Sequence, residues 1–203
     1  MLKIYGMGMS TCTRKVLMTC EELGIPYALE NIDFGANAHK KEPHLSRQPF
    51  GRIPTIDDEG FTMFESRAIC RYLNDKVSGS MVPKDIKARG VMEQFISIES
   101  SEFSGHAMKF IYEHVFQRVQ EAGVIEKAGV ALDVTCGVLD KRLASSAFLA
   151  GETFSLADIC YMPYLEYAMT TPAKEVFGKH KNVMSWWNKI SERPTWRKVT
   201  GKA

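Results

Sequence analysis

The spacing of apolar residues changes along the chain and divides it in two. Leu2 to Tyr5 alternate as a strand does, and Gly6, Met7 and Gly8 break the run. Val16, Leu17, Cys20 and Leu23 then recur at helical spacing within Thr13 to Leu23. Gly24 stands where a C-cap glycine would, with Pro26 just beyond. Tyr27 to Ile32 predict a second strand, and the polar stretch Asp33 to Gln48 predicts a loop with one short helix. Ile53-Pro54 leads into Thr55-Ile56, the acidic turn Asp57-Asp58-Glu59-Gly60, and Phe61 to Phe64. That pattern predicts two short strands joined by a tight turn, with a proline at the head of the first. Ile69, Tyr72 and Leu73 return to helical period, so a helix is expected from Ser66 to about Lys76.

Ser78, Gly79, Ser80 and Pro83 mark a linker, and beyond Asp85 the period is helical throughout. One long helix is expected over about 85–118, bent near Gly105, and a second over about 124–146. A third starts at Ser155, where Phe154-Ser155-Leu156-Ala157-Asp158-Ile159 is a capping-box pattern with a hydrophobic staple. Such caps contribute about 1 kcal/mol, which gives Asp158 a structural role. Trp186 and Trp187 belong to a last core helix ended by Arg193-Pro194. The predicted architecture is a mixed α/β domain over 1–78, a linker over 79–88 and an all-helical domain over 89–203.

Composition narrows the classes of partner. The 203 residues are 45% hydrophobic and 25% charged with a net charge of +2, ordinary values for a globular chain. Residues 1–78 hold ten Lys/Arg and ten Asp/Glu, so neither half is a basic or acidic tail. Nothing here suits nucleic acid or an anionic membrane surface. No apolar run approaches the roughly 20 residues that span a bilayer, and MLKIYG lacks a signal-peptide layout. The cysteines at 12, 20, 70, 136 and 160 show neither paired spacing nor a metal pattern. Reduced thiols, no bound metal and a cytoplasmic location are the expectation.

Three places could carry chemistry. Ser10, beside Thr11, Cys12 and Thr13, is either an N-cap or a hydroxyl donor aimed at an anion from a helix N-terminus. Cys12 competes with it, because a thiol at a helix start can become a nucleophile. Glu65 and Ser66 open the helix after the second hairpin strand, and His39-Lys40 lies in the polar loop. Taken alone, Glu65 and Ser66 read as helix-start residues and His39-Lys40 as a solvated loop.

The runs PFGRIP and FESRAI, with Ser10 to Arg14 and His39-Lys40 upstream, resemble a glutathione transferase, closest to the phi class. The likeness is dense over about the first 76 residues and looser beyond. It implies a thioredoxin-like βαβαββα domain followed by an all-helical one. It also implies a cis Ile53-Pro54 bond, an isomer found at only about 5% of X-Pro bonds, with Ile53 offering its backbone to the cysteinyl part of glutathione. Counting back from Lys15-Val16-Leu17, the family's catalytic serine falls at Ser10. By the same likeness Glu65 pairs the γ-glutamyl ammonium, Ser66 holds the α-carboxylate, and His39 and Lys40 meet the glycyl carboxylate. Arg52 departs from the pattern, which usually has glutamine there.

Met9 and Phe34 match positions that wall an apolar co-substrate pocket, with Met108, Ile111, Val115 and Phe116 as further candidates. Phe50 aligns with an aromatic that related classes insert into a second subunit, so a homodimer is expected. The implied function is conjugation of glutathione, a co-substrate and not a resident cofactor, to small hydrophobic electrophiles, with glutathione peroxidase activity at its side. The alternatives are a glutathione-dependent thiol reductase working through Cys12 and a ligand-binding protein without turnover.

Overall fold

The computed structural model describes residues 1–202, which fall into two compact units. Met1–Ser80, joined by the segment from Pro194 on, forms one, and Met81–Arg193 forms the other. The expected helical domain of 89–203 therefore loses its last turns to the first unit.

In the first unit the chain runs β1 (Leu2–Gly6), α1 (Thr11–Leu23), β2 (Tyr27–Asn31), α2 (His44–Arg47), β3 (Thr55–Asp58), β4 (Phe61–Phe64) and α3 (Ser66–Lys76). A single turn of 3-10 helix, Ala38–Lys40, precedes α2. The sheet order is β2-β1-β3-β4. β2 runs parallel to β1, while β3 runs antiparallel to β1 with Tyr5 opposite Thr55. Helix α1 begins two residues earlier than its apolar period suggests. Ser10 caps it, and Gly24 ends it in the left-handed conformation at φ 64°. That conformation suits a residue without Cβ. Val16, Met18, Cys20, Ile56, Ile69 and Leu73 form the buried core between the sheet and α1 and α3.

In the second unit the expected single helix is interrupted. Residues 86–114 are helical throughout, but α4 (Ile86–Ile98) and α5 (Ser104–His114) flank a π-helical segment at Glu99–Phe103. The interruption thus precedes Gly105. Its physical setting is the Thr135 hydroxyl, which donates to the Glu102 carbonyl at 3.0 Å. The helix stops near His114, short of 118, because Gln117 turns to φ 52°. Next come α6 (Val124–Leu143), α7 (Leu156–Ala168), α8 (Lys174–Gly178) and α9 (Lys181–Ser191). Every residue of α7 from Leu156 to Leu165 is buried, which makes it the central helix. Its Tyr161 packs against Phe103 and Trp186, with Phe103–Tyr161 centroids 4.8 Å apart and Tyr161–Trp186 6.0 Å.

Pro194 does not only end α9. It opens α10 (Pro194–Thr200), as a proline suits the first helical position, where no N–H is needed. Trp196 is fully buried there, and Lys198 Nζ meets Glu21 Oε2 of α1 at 2.7 Å.

Asp158 has a larger role than capping. Its carboxylate accepts from Ser155 N (2.9 Å), Ser155 Oγ (2.9 Å), Leu149 N (3.0 Å) and Trp186 Nε1 (2.9 Å). The side chain thereby ties the loop before α7 to α9 while fully buried. Burial pushes its carboxyl up, and the hydrogen bonds pull the other way. Removing the acceptor orphans several buried donors at about 1–3 kcal/mol each. Asp158→Ala is expected to cost about 3–5 kcal/mol after partial relaxation, read as a lower urea midpoint. A loss under about 1 kcal/mol would reduce Asp158 to an ordinary cap.

Candidate active site

Sheet direction gathers the candidate residues. β1 and β2 are parallel, β3 opposes β1 and β4 opposes β3. The C-terminal ends of β1, β2 and β4 therefore lie at the same edge as the N-terminal end of β3. Ser10 follows β1, Phe34 and His39-Lys40 follow β2, Ile53-Pro54 precedes β3, and Glu65-Ser66 follows β4. Helices α1 and α3 both start at this edge, so two positive helix ends face it.

Ser10 sits half-buried at the N-cap of α1, and its Oγ accepts from Thr13 N at 3.3 Å. Both readings of this serine are compatible, because the acceptor role leaves its own O–H free to donate outward. Cys12, also half-buried, is already the second helical residue. Two helical positions turn a side chain by about 200°, so Cys12 leaves the helix in another direction.

Glu65 caps α3 at φ 72°, ψ 100°, a conformation that costs a non-glycine residue about 1–3 kcal/mol. Its side chain is exposed, while Ser66 is buried in the first turn. Such strain is retained where the surrounding structure over-determines it, and it clusters at binding sites.

Ile53-Pro54 is cis, as the family likeness implied, and Glu42-Pro43, which the sequence did not flag, is cis as well. The turn before Ile53 is held by a knot of side chains in which His44 and Gln48 join Lys40. Buried Gln48 accepts through Oε1 from Phe50 N (2.7 Å) and Arg52 N (3.2 Å). Buried His44 donates through Nε2 to the Arg52 carbonyl at 2.7 Å. Lys40 Nζ donates to the Phe50 carbonyl at 2.8 Å. Neither His44 nor Gln48 carries a periodic signal, since both lie in a polar stretch and bury by bonding to backbone. Gly51, at φ 58°, completes the knot: a Cβ there would stand 2.6 Å from the His39 carbonyl oxygen. Arg52 keeps an exposed side chain whose guanidinium lies 5.9 Å from the Phe50 ring centroid.

The six proposed pocket residues divide between the units. Met9 and Phe34 belong to the first and are 50% and 37% exposed. Ile111 and Val115 belong to the second. Ile111 is fully buried in the helical core, which corrects its assignment as a wall, because it has no free surface to offer. Val115, Met108 and Phe116 are half-buried. A recess of about 480 Å³ lies elsewhere, lined by Cys20, Glu21, Gly24, Ile25, Pro26, Tyr27 and Lys198. It contains none of the candidate residues, and Tyr27 Oη and Lys198 Nζ already bond Glu21 there. Among the described residues no group of three or more His, Cys, Asp or Glu side chains is placed to hold a metal. No helix among them is long and apolar enough to cross a membrane.

Residues 1–75 match the glutathione S-transferase N-terminal domain, and residues 103–194 match the C-terminal domain of the same family. Glutathione S-transferase F12 of Arabidopsis thaliana is 34% identical, over 98% of this chain and 96% of its own length. The crystal structure of glutathione transferase F2 from Populus trichocarpa superposes with a TM-score of 0.93 at 31% identity, covering 99% of this chain and 98% of that one. Glutathione S-transferase I from maize, solved in complex with an atrazine glutathione conjugate, superposes at 0.91 and 27% identity, over 99% and 97%. With both halves matched in order and the sheet edge built as described, the chain belongs to the glutathione S-transferase family, phi-like within it, and is a transferase that uses glutathione as co-substrate.

Proposed function

We propose that the protein conjugates glutathione to small hydrophobic electrophiles and that Ser10 holds the sulfur as thiolate. The carrying observation is Ser10 at the tip of α1, its Oγ occupied as acceptor and its O–H left to donate. A free thiol with pKa about 8.5 needs a shift of about two units, roughly 3 kcal/mol, to be mostly ionised at neutral pH. One charge-assisted hydrogen bond supplies about 1.5–3 kcal/mol and the helix end about 0.3–1 more. No general base is required.

The rest of the sheet edge grips the tripeptide. Ile53 pairs the cysteinyl backbone, and strained Glu65 and Ser66 take the γ-glutamyl ammonium and α-carboxylate. His39, Lys40 and Arg52 meet the glycyl carboxylate. Met9, adjacent to Ser10 in the chain and 50% exposed, offers apolar surface at this edge. The atrazine conjugate bound by the maize relative supports an apolar electrophile of modest size. The chain works as a homodimer through Phe50, which is 60% exposed and braced edge-on by Phe64 at 6.1 Å. Five free cysteines suit a reducing, cytoplasmic setting.

Ser10→Ala is expected to raise the bound thiol pKa by about 1–2 units, with conjugation at neutral pH falling by a similar number of decades. Cys12→Ser is expected to leave conjugation nearly intact. Ultraviolet titration of bound glutathione reads the thiolate in each variant. Activity lost at Cys12 and kept at Ser10 would make the protein a thiol-exchange enzyme instead.

Glu65→Ala and Ser66→Ala are each expected to weaken glutathione binding by about 1.5–3 kcal/mol, the range for hydrogen bonds to charged groups. Unchanged affinity in calorimetry would place the γ-glutamyl grip elsewhere. Phe50→Ala is expected to weaken the dimer by roughly 1.5–3 kcal/mol of lost apolar burial, measured by sedimentation. A wild-type chain that sediments as a monomer at micromolar concentration would end the dimer proposal.

A further inference from the structure

Phe34 does not stand as a free pocket wall. Its ring lies flat against the His39 imidazole, with centroids 3.9 Å apart and planes 8° from parallel. The intervening loop is closed by its own hydrogen bonds. Ala36 N donates to Asp33 Oδ1 at 3.0 Å, Asn37 N to the Phe34 carbonyl at 3.1 Å, and Ala38 N to the Asp33 carbonyl at 2.9 Å. Asn37 turns the chain at φ 55°, and the two rings meet across that turn.

No hydrogen bond orients the imidazole. Nδ1 is buried and has no partner, so only Nε2 remains for a ligand. Burial first, then Lys40 and His44, push the ring's pKa down from its ordinary value, which favours the neutral imidazole with one N–H to give. A carboxylate only accepts, and it therefore selects the tautomer with the proton on Nε2. Without Phe34 the ring can rotate about its side-chain bonds and lose that alignment. Gly51 approaches the His39 backbone closely, since a Cβ there would meet the His39 carbonyl oxygen at 2.6 Å.

We propose that Phe34 is a positioning residue, whose stacked ring holds His39 with Nε2 directed at the glycyl carboxylate and so sets the preference for the full tripeptide. The proposal rests on the glutathione site argued above. It assigns Phe34 an effect on glutathione binding in the absence of any electrophile, which a pocket wall does not have.

Titration calorimetry without electrophile, using glutathione and γ-glutamylcysteine, which lacks the glycyl residue, separates the possibilities. Phe34→Leu is expected to weaken glutathione roughly 3- to 10-fold, the span of an aromatic pair. It should leave γ-glutamylcysteine within about twofold, which also shows that the variant is folded. Phe34→Tyr, which keeps the ring, should restore glutathione affinity. Added to His39→Ala, Phe34→Leu should cost nothing further. An unchanged glutathione affinity in Phe34→Leu, or an equal loss for both ligands, overturns the positioning role while the site stands. Should His39→Ala itself leave glutathione affinity unchanged, the glycyl assignment fails and the positioning role with it.

Discussion

The antiparallel pairing of β3 against β1 is the constraint on which the first unit depends. Because Thr55 lies opposite Tyr5, the chain enters β3 at the edge where it leaves β1. Residues far apart in sequence, Ser10, His39, Pro54 and Ser66, then converge without any one of them having to cross the sheet. The same pairing points the first turns of α1 and α3 the same way, and two partial positive charges meet at one edge. Backbone geometry thereby favours negative charge at that edge before any charged side chain takes part.

What surrounds that edge is held by side chains bonded to backbone. Gln48 and His44 fix both ends of the Phe50–Arg52 turn, and Lys40 ties its carbonyl from outside. The bonds end at Arg52, the residue directly before Ile53. Ser10 Oγ likewise bonds to backbone, accepting from Thr13 N at the helix cap while keeping an O–H to donate.

The helical unit is organised around a different interaction, the Asp158 carboxylate in the interior of an apolar bundle. Four donors compensate a group whose burial would otherwise be costly. One of those donors, Trp186, also packs edge-on against Tyr161, which in turn meets Phe103. The unit gains specificity from one polar centre and bulk stability from the apolar residues around α7.

By itself the sequence determined the element order of the first unit, the capping pattern at Ser155 and the candidates Ser10, Glu65 and Ser66. Period, turn chemistry and cap residues are local properties, so a linear reading reaches them. Only tertiary structure decided the burial of Ile111, the stack of Phe34 on His39 and the knot of His44 and Gln48. Each depends on partners that no periodicity records: a helical stripe does not say which of its members meets solvent, and a polar loop does not show which carbonyls its side chains will find. The end of the chain divides the same way. Arg193-Pro194 was legible as a stop, but proline also opens helices, and the contact of Lys198 with Glu21 carries α10 onto the first unit. Long-range contacts settle which of two locally permitted meanings a residue takes.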